Sequence, residues 1–180
     1  CAYKAGAFNP VSLPGSESYG EEHAWNVEGG VKTVMANGRF SASASVFSID
    51  WDDLQLFVPI PGAAAQFYIS NAGDATSRGV EVELADRPYD GVDVFGAVGF
   101  THARFADGTS IGDVDISDNK IPNTPSYTVS LGVQVSREVE MGGRVFGRFD
   151  VASFGEFEYD ETNTQRQDGY TLGNLRGGWR

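Results

Sequence analysis

Apolar and polar residues alternate one for one along most of this chain. Tyr127, Val129, Leu131, Val133 and Val135 form one set, and Thr128, Ser130, Gly132, Gln134 and Ser136 the other. Trp25, Val27, Gly29 and Val31 oppose Asn26, Glu28, Gly30 and Lys32. Val80, Val82 and Leu84 oppose Glu81 and Glu83; Val92, Val94, Val98 and Phe100 oppose Asp93 and Thr101; Val145, Phe149 and Val151 oppose Arg148 and Asp150. A period of two marks extended strands with two different faces, because successive side chains point to opposite sides. No segment shows the helical period. Two segments change phase. Phe40, Ala42, Ala44 and Val46 give way to Phe47, Ile49 and Trp51, and a similar slip falls around Gly173–Asn174. A β-bulge near Val46–Phe47 accounts for the first slip, since one extra residue moves every later side chain to the other face.

The connections alternate in length. Short ones cover Met35–Arg39 with Asn37-Gly38, Arg87–Gly91, and Val139–Gly143 with Gly142-Gly143. Such dipeptides supply the positive φ angles of tight hairpins. Long ones cover Ala5–His23, Pro59–Ala72, Asp107–Thr124 and Gly155–Gln167. One end of the sheet therefore carries tight turns and the other long polar loops, an asymmetry typical of outer-membrane barrels. The pattern predicts an all-β fold: an antiparallel, up-and-down transmembrane β-barrel segment of about eight strands, each near bilayer-crossing length. A soluble, secreted β-sandwich that binds glycans shares the alternation and is the competing fold.

Composition narrows the functional classes. The 180 residues carry a net charge of −12, so there is no basic surface for nucleic acid and no polybasic patch for anionic lipid. The single cysteine, Cys1, allows neither an internal disulfide nor a cysteine metal cluster. Mean hydropathy is −0.26, which looks soluble but is also what alternating barrel strands average to. No apolar run reaches the ~20 residues of a membrane-spanning helix. The chain opens on Cys1 and closes on Arg180, both in strand-like sequence, so a piece of a longer protein is expected.

Five segments resemble one family, the TonB-dependent outer-membrane receptors. Tyr3 to Asn9 resembles the strand-end G-x-x-F-N with one residue fewer between Gly6 and Phe8, and Glu22 with Asn26 to Lys32 the strand E-x-x-x-N-x-E-x-G-x-K. Phe47 to Gln55 is similar to F-x-I-D-W-D-D-L-Q, Asn71 to Glu83 to N-A-G-x-A-x-x-x-G-V-E-x-E, and Ile121 to Pro125 to I-P-N-x-P. The resemblance runs along nearly the whole chain. It implies residues 1–180 of a larger, 22-stranded barrel in the Gram-negative outer membrane, with the N-terminal plug domain and both barrel ends absent here. It further implies active uptake of a scarce nutrient, by default a ferric siderophore or similar iron complex. The implied partners are outer-membrane lipid, the TonB complex through the plug, and a small-molecule ligand. A passive porin-like or small self-contained barrel is the alternative within the membrane.

The residues have readings of their own. Glu28, Lys32, Glu81, Glu83, Arg148 and Asp150 lie on polar faces, where they line a lumen and face a plug, or balance charge in water. Trp25, Trp51, Tyr127, Tyr170 and Trp179 are candidates for the membrane interfaces, where amphipathic rings are favoured; simple packing is the alternative. Gly29, Gly79, Gly96 and Gly132 are candidate bends or close approaches. Asp107, Asp113, Asp115 and Asp118 form an acidic loop that offers oxygen ligands to Ca²⁺, against the plainer reading of a hydrated loop. No cofactor and no catalytic activity are expected: His23 and His102 lack partners at metal-ligand spacing, and Gly108–Ser110 lacks the lysine of a phosphate loop.

Overall fold

The computed structural model describes residues 1–60, 62, 63, 65–140 and 142–179; Arg180, the strand-like end of the chain, lies outside them. Eight antiparallel strands form one sheet in chain order: β1 (Ala2–Lys4), β2 (Glu22–Met35), β3 (Phe40–Asp52), β4 (Ala75–Tyr89), β5 (Val92–Phe105), β6 (Tyr127–Glu138), β7 (Arg144–Phe154) and β8 (Tyr170–Trp179). Each strand pairs with its chain neighbour, so the sheet is an up-and-down meander with β1 and β8 at opposite edges. Four short two-stranded ribbons sit in the long connections. No second sheet packs across the first among the described residues, so the sandwich alternative is not what this chain builds.

Directly paired residues share a face, which makes the two surfaces readable row by row. One face holds Val31, Ala44, Val82, Val98 and Val129, then Thr33, Ala42, Leu84, Gly96, Leu131 and Val151. The other holds Lys32, Ser43, Glu83, Ala97 and Ser130, with Glu28, Ser45, Glu81, Gln134, Arg148 and Asp150 in neighbouring rows. The apolar face is bare: Val31 is 68% exposed, Val46 60% and Leu131 58%. A continuous apolar surface of this extent marks contact with lipid or a partner. From Tyr127 to Val135 the outward residues run about 26 Å along the strand, or roughly 20 Å after barrel tilt. That covers most of the ~25 Å apolar band of an outer-membrane barrel. The polar face carries the shallow hollows of the sheet, one lined by Glu28, Lys32, Ser43, Glu81 and Glu83.

The register runs unbroken through Val46–Phe47 and through Gly173–Asn174. The expected bulges are therefore absent, and Phe47, Ile49 and Trp51 stay on the polar face with Ser41, Ser43 and Ser45. Phe47 fits because Gly79 lies opposite: a Cβ on Gly79 would collide with the Phe47 ring. The same joint recurs at Phe95 over Gly132 and Phe146 over Gly178, both directly paired. On the lipid side, Leu131 covers Gly96. The register irregularity falls instead between Asp86 and Tyr89, around Arg87-Pro88, and shortens the second turn to Asp90-Gly91. Proline lacks the ladder N–H, which explains the irregularity there. The first turn carries positive φ at Ala36, Asn37 and Gly38, the third at Gly142 and Gly143.

Two outcomes test this arrangement. Leu131→Arg sets a charge in the middle of the lipid band and should destabilise the inserted barrel by ~2–4 kcal/mol, read as a lower urea midpoint of the heat-modifiable form. Gly132→Val pushes on the Phe95 ring and on Asp150, whose Oδ1 would lie 2.9 Å from a Cβ at this position, and should cost ~1–3 kcal/mol; an unchanged midpoint would show that the joint is slack.

Candidate functional site: the loop-capped mouth of the polar face

The buried core of the molecule lies at the loop end of the wall. Val58, Tyr68, Ala72, Ala75, Phe105, Ile111 and Ile116 form it, with Trp51, Leu54, Leu56, Ile60 and Ile121 packed around. Trp51, Ala75 and Phe105 are consecutive partners in one row of β3, β4 and β5. The period of two puts that row on the same face as Glu81 and Glu83. The long loops therefore fold over the upper end of the polar face and do not splay outward. Of the apolar residues that break the polar set on β3, Trp51 is covered by loop side chains, and Phe47 lies over Gly79.

Backbone and amide hydrogen bonds knit the loops together. The second loop is a hairpin of Gln55–Pro59 paired with Phe67–Asn71. The Asn9 side chain takes the place of a neighbouring strand beside it, donating to the Ile69 carbonyl at 2.8 Å and accepting from its N–H at 2.9 Å. Gln55 Nε2 donates to the Gly20 carbonyl at 2.9 Å, and Asn71 Oδ1 accepts from Gly20 N–H at 2.6 Å. The third loop joins through Ser110 N–H to the Ala72 carbonyl and Ala106 N–H to that of Asp74. Gly73, at φ +121, leaves room for Thr109, whose Oγ1 would lie 2.7 Å from any Cβ there. The fourth loop repeats the first device: Asn163 Oδ1 accepts from Lys120 N–H at 2.8 Å, and Asn163 Nδ2 donates to the Lys120 carbonyl at 3.0 Å. Sequence reasoning passes over Asn163; Asn9, Gln55 and Asn71 stand inside the family-like segments without an assigned role.

Lys120 Nζ lies 2.7 Å from Glu156 Oε1 and 3.7 Å from Glu158 Oε1, while Arg166 bonds the other oxygen of Glu156. The hydrogen bond from Lys120 holds the Glu156 carboxyl below its usual range, although burial opposes it. Burial also works against charge on Asp160, but hydrogen bonds from Thr162, Thr164 and Gln165 outweigh it and hold that carboxyl well below the usual range.

The polar-face residues divide into two groups. Glu28, Lys32, Glu81 and Glu83 surround Ser43 and Ser45, with Ser43 Oγ 3.4 Å from Glu83 Oε2. Nearer the tight turns, Arg148 Nη2 lies 2.6 Å from Asp150 Oδ1, and Arg176 Nη2 reaches Asp150 Oδ2 at 3.2 Å. The Arg148 guanidinium stands 4.3 Å from the centre of the Phe95 ring, a cation–π contact that holds it flat against the wall.

Of the five aromatic candidates, Trp25 and Tyr127 lie on the apolar face toward the loop end and Trp179 on the same face toward the turn end. Trp51 and Tyr170 lie on the polar face, which corrects their placement at the lipid. Trp51 packs into the loop core and Tyr170 stacks on Phe154, 5.0 Å between ring centres. Gly79, Gly96 and Gly132 are close approaches, whereas Gly29 faces open space.

The acidic loop does not converge on a cation. Asp115 Oδ1 accepts from Ser117 N–H at 2.9 Å and Asp118 pairs with Arg104 at 3.5 Å. Among the described residues no three His, Cys, Asp or Glu gather as metal ligands, Asp107, Asp113, Asp115 and Asp118 included. His23 is bonded to Glu21 and His102 to Arg104.

The model of the TonB-dependent receptor-like β-barrel family matches residues 2–180. Among solved structures, the ferric yersiniabactin uptake receptor FyuA of Yersinia pestis is similar over 98% of this chain and 26% of its own, at 24% identity and a TM-score of 0.81. BauA, the ferric preacinetobactin receptor of Acinetobacter baumannii, matches over 88% and 23%, at 18% identity and a TM-score of 0.68. The FrpB iron transporter of Neisseria meningitidis matches over 92% and 25%, at 18% identity and a TM-score of 0.62. The chain thus spans about a quarter of each of these proteins.

The loop contacts make two checkable statements. Asn163→Ala removes both backbone bonds to Lys120 and should raise protease cleavage within residues 107–126 and 155–169 several-fold, with the barrel itself unchanged. Because the Glu156 and Asp160 carboxyls are depressed, their contribution is complete above the ordinary carboxylate range of about pH 4 and fades as pH falls through the lower folded values. Amide exchange in these loops should be flat between pH 7 and pH 5, after correction for intrinsic rates, and rise only in stronger acid.

Proposed function

The chain belongs to the TonB-dependent receptor β-barrel family, an outer-membrane family of Gram-negative bacteria, and from that premise we propose that it forms part of the wall and mouth of an uptake receptor. In this reading the receptor captures a ferric siderophore or similar iron complex at the cell surface. A plug domain elsewhere in the full protein closes the lumen and couples to TonB. Glu28, Glu81 and Glu83, with Lys32 among them, form a predominantly acidic patch on the lumen wall that suits basic groups of the plug. Arg148, Asp150 and Arg176 offer a second, more basic contact nearer the periplasm. The observation that carries the reading is the loop core packed over the polar face. Loops ordered by a shared core and folded across the mouth suit capture of a specific ligand, whereas a passive pore is served by an open mouth. The three solved relatives are described as receptors or transporters for iron or ferric chelates, in keeping with that cargo.

The test is uptake of radiolabelled iron, supplied as ferric chelates, by iron-starved cells that make the complete receptor. Uptake should depend on the receptor and stop when TonB is removed. Receptor-dependent entry that persists without TonB would favour the passive barrel. Replacing Glu81 and Glu83 together by Gln should loosen the plug, seen as faster amide exchange in plug segments while the barrel stays folded.

A further inference from the structure

Alternation gives the second-loop hairpin two sides. Leu56, Val58, Tyr68 and Ser70 form one; Gln55, Phe57, Pro59, Phe67, Ile69 and Asn71 form the other, whose Gln55–Asn71 end is bound to Gly20 of the first loop. The first side is bound into the loop core: Val58 is 5% exposed and Tyr68 7%. That core rests on Trp51, Ala75 and Phe105 of the lumen-facing row. A hairpin whose one side lies against the inner wall turns its other side toward the barrel axis. On that side Phe57 is 65% exposed and Phe67 51%. Phe57 pairs with Ile69 and Pro59 with Phe67, so the two rings are diagonal neighbours, close enough for aromatic side chains to act together. They form a bare aromatic shelf above the lumen, and the fold leaves it uncovered.

The electrostatics of the mouth restrict what rests there. No charged residue occurs from Leu54 to Ser70. The loop segments 5–21, 53–74, 106–126 and 155–169 contain two basic residues, Lys120 and Arg166, and both are bound to Glu156. At the rim, Arg104 pairs with Asp118. Against these stand Glu17, Glu21, Asp53, Asp74, Asp107, Asp113 and several more carboxylates. An anionic ligand entering past these loops meets like charge and no uncommitted loop cation, while an uncharged or cationic ligand meets no such barrier.

Resting on the uptake reading above, we propose that the Phe57–Phe67 shelf is a specificity surface of the receptor, which stacks an aromatic ring of a ferric chelate that carries no net negative charge. The shelf supplies apolar area and ring faces, and the surrounding carboxylates select against anionic complexes.

The test uses the complete purified receptor and three iron-55 chelates: a neutral complex bearing an aryl group, a neutral ring-free tris-hydroxamate, and a trianionic tris-catecholate. Heat-modifiable mobility confirms folding of every variant. The neutral aryl complex should bind tightest. Replacing both phenylalanines by Ala should weaken it at least tenfold and leave the ring-free complex within twofold. A Phe57→Leu, Phe67→Leu pair, which keeps the apolar area but not the rings, should weaken it at least threefold. Tightest binding of the trianion, or variants that bind the aryl complex as well as the parent does, would overturn the shelf while leaving iron uptake standing. If receptor-bearing cells import none of the three chelates, the iron-chelate reading fails and the shelf assignment falls with it.

Discussion

In hydrocarbon every backbone N–H and C=O must find its partner inside the protein, and the architecture follows from that requirement. It explains why β2 to β8 are long, why each pairs with its chain neighbour, and why the ladder stays in register from His23–Asp52 to Met35–Phe40 and from Phe154–Tyr170 to Val145–Trp179. A bulge in mid-band would strand a peptide group in lipid. The irregularity that exists lies beside Pro88, next to a turn and near water. The same requirement applies at the outer sides of β1 and β8, the two edges of the sheet. A surface that would drive a soluble protein to aggregate, with Val31, Val46 and Leu131 laid bare, is here the surface that lipid covers.

Because lipid takes the apolar face and the lumen takes the polar one, the wall has no core of its own. The buried side chains gather where the loops meet the lumen-facing row at Trp51, Ala75 and Phe105. Stability is thus divided: ladder hydrogen bonds and lipid contact hold the wall, while a small apolar cluster and a set of amide bridges hold the mouth. Asn9 and Asn163 have equivalent parts in this division. Each lends a side-chain amide to the N–H and C=O of one residue, Ile69 or Lys120, on the side away from its β partner, a substitution available to asparagine because its amide carries the same donor and acceptor as a peptide unit.

The wall is legible in the sequence to the extent that its two faces differ. Tyr127–Ser136 alternates cleanly because one side meets lipid and the other water, and its faces match the structure residue by residue. On β3 the same reasoning misleads: Phe47, Ile49 and Trp51 resemble a phase change only if the polar face is wet along its whole length. Loop residues far away in the chain cover Trp51 and a glycine across the ladder makes room for Phe47, and alternation carries no information about such contacts. Trp51 and Tyr170 are misplaced by pattern alone for a related reason, since an aromatic ring at a strand end suits both a lipid boundary and a packed mouth. The family-like segments point to Asn9 and Asn71 without saying what they bind, because each partner lies tens of residues away.

The glycine joints carry a consequence for how this wall can change. Phe47 with Gly79, Phe95 with Gly132, and Phe146 with Gly178 each join two strands through a ring and the space left for it. Neither member can be altered alone without a clash or a void, so the heritable unit is the pair. Related barrels should therefore tolerate a side chain at the glycine position mainly where the facing ring has become small, and exchanging strands between such barrels should succeed when the cut leaves both halves of a joint on the same side.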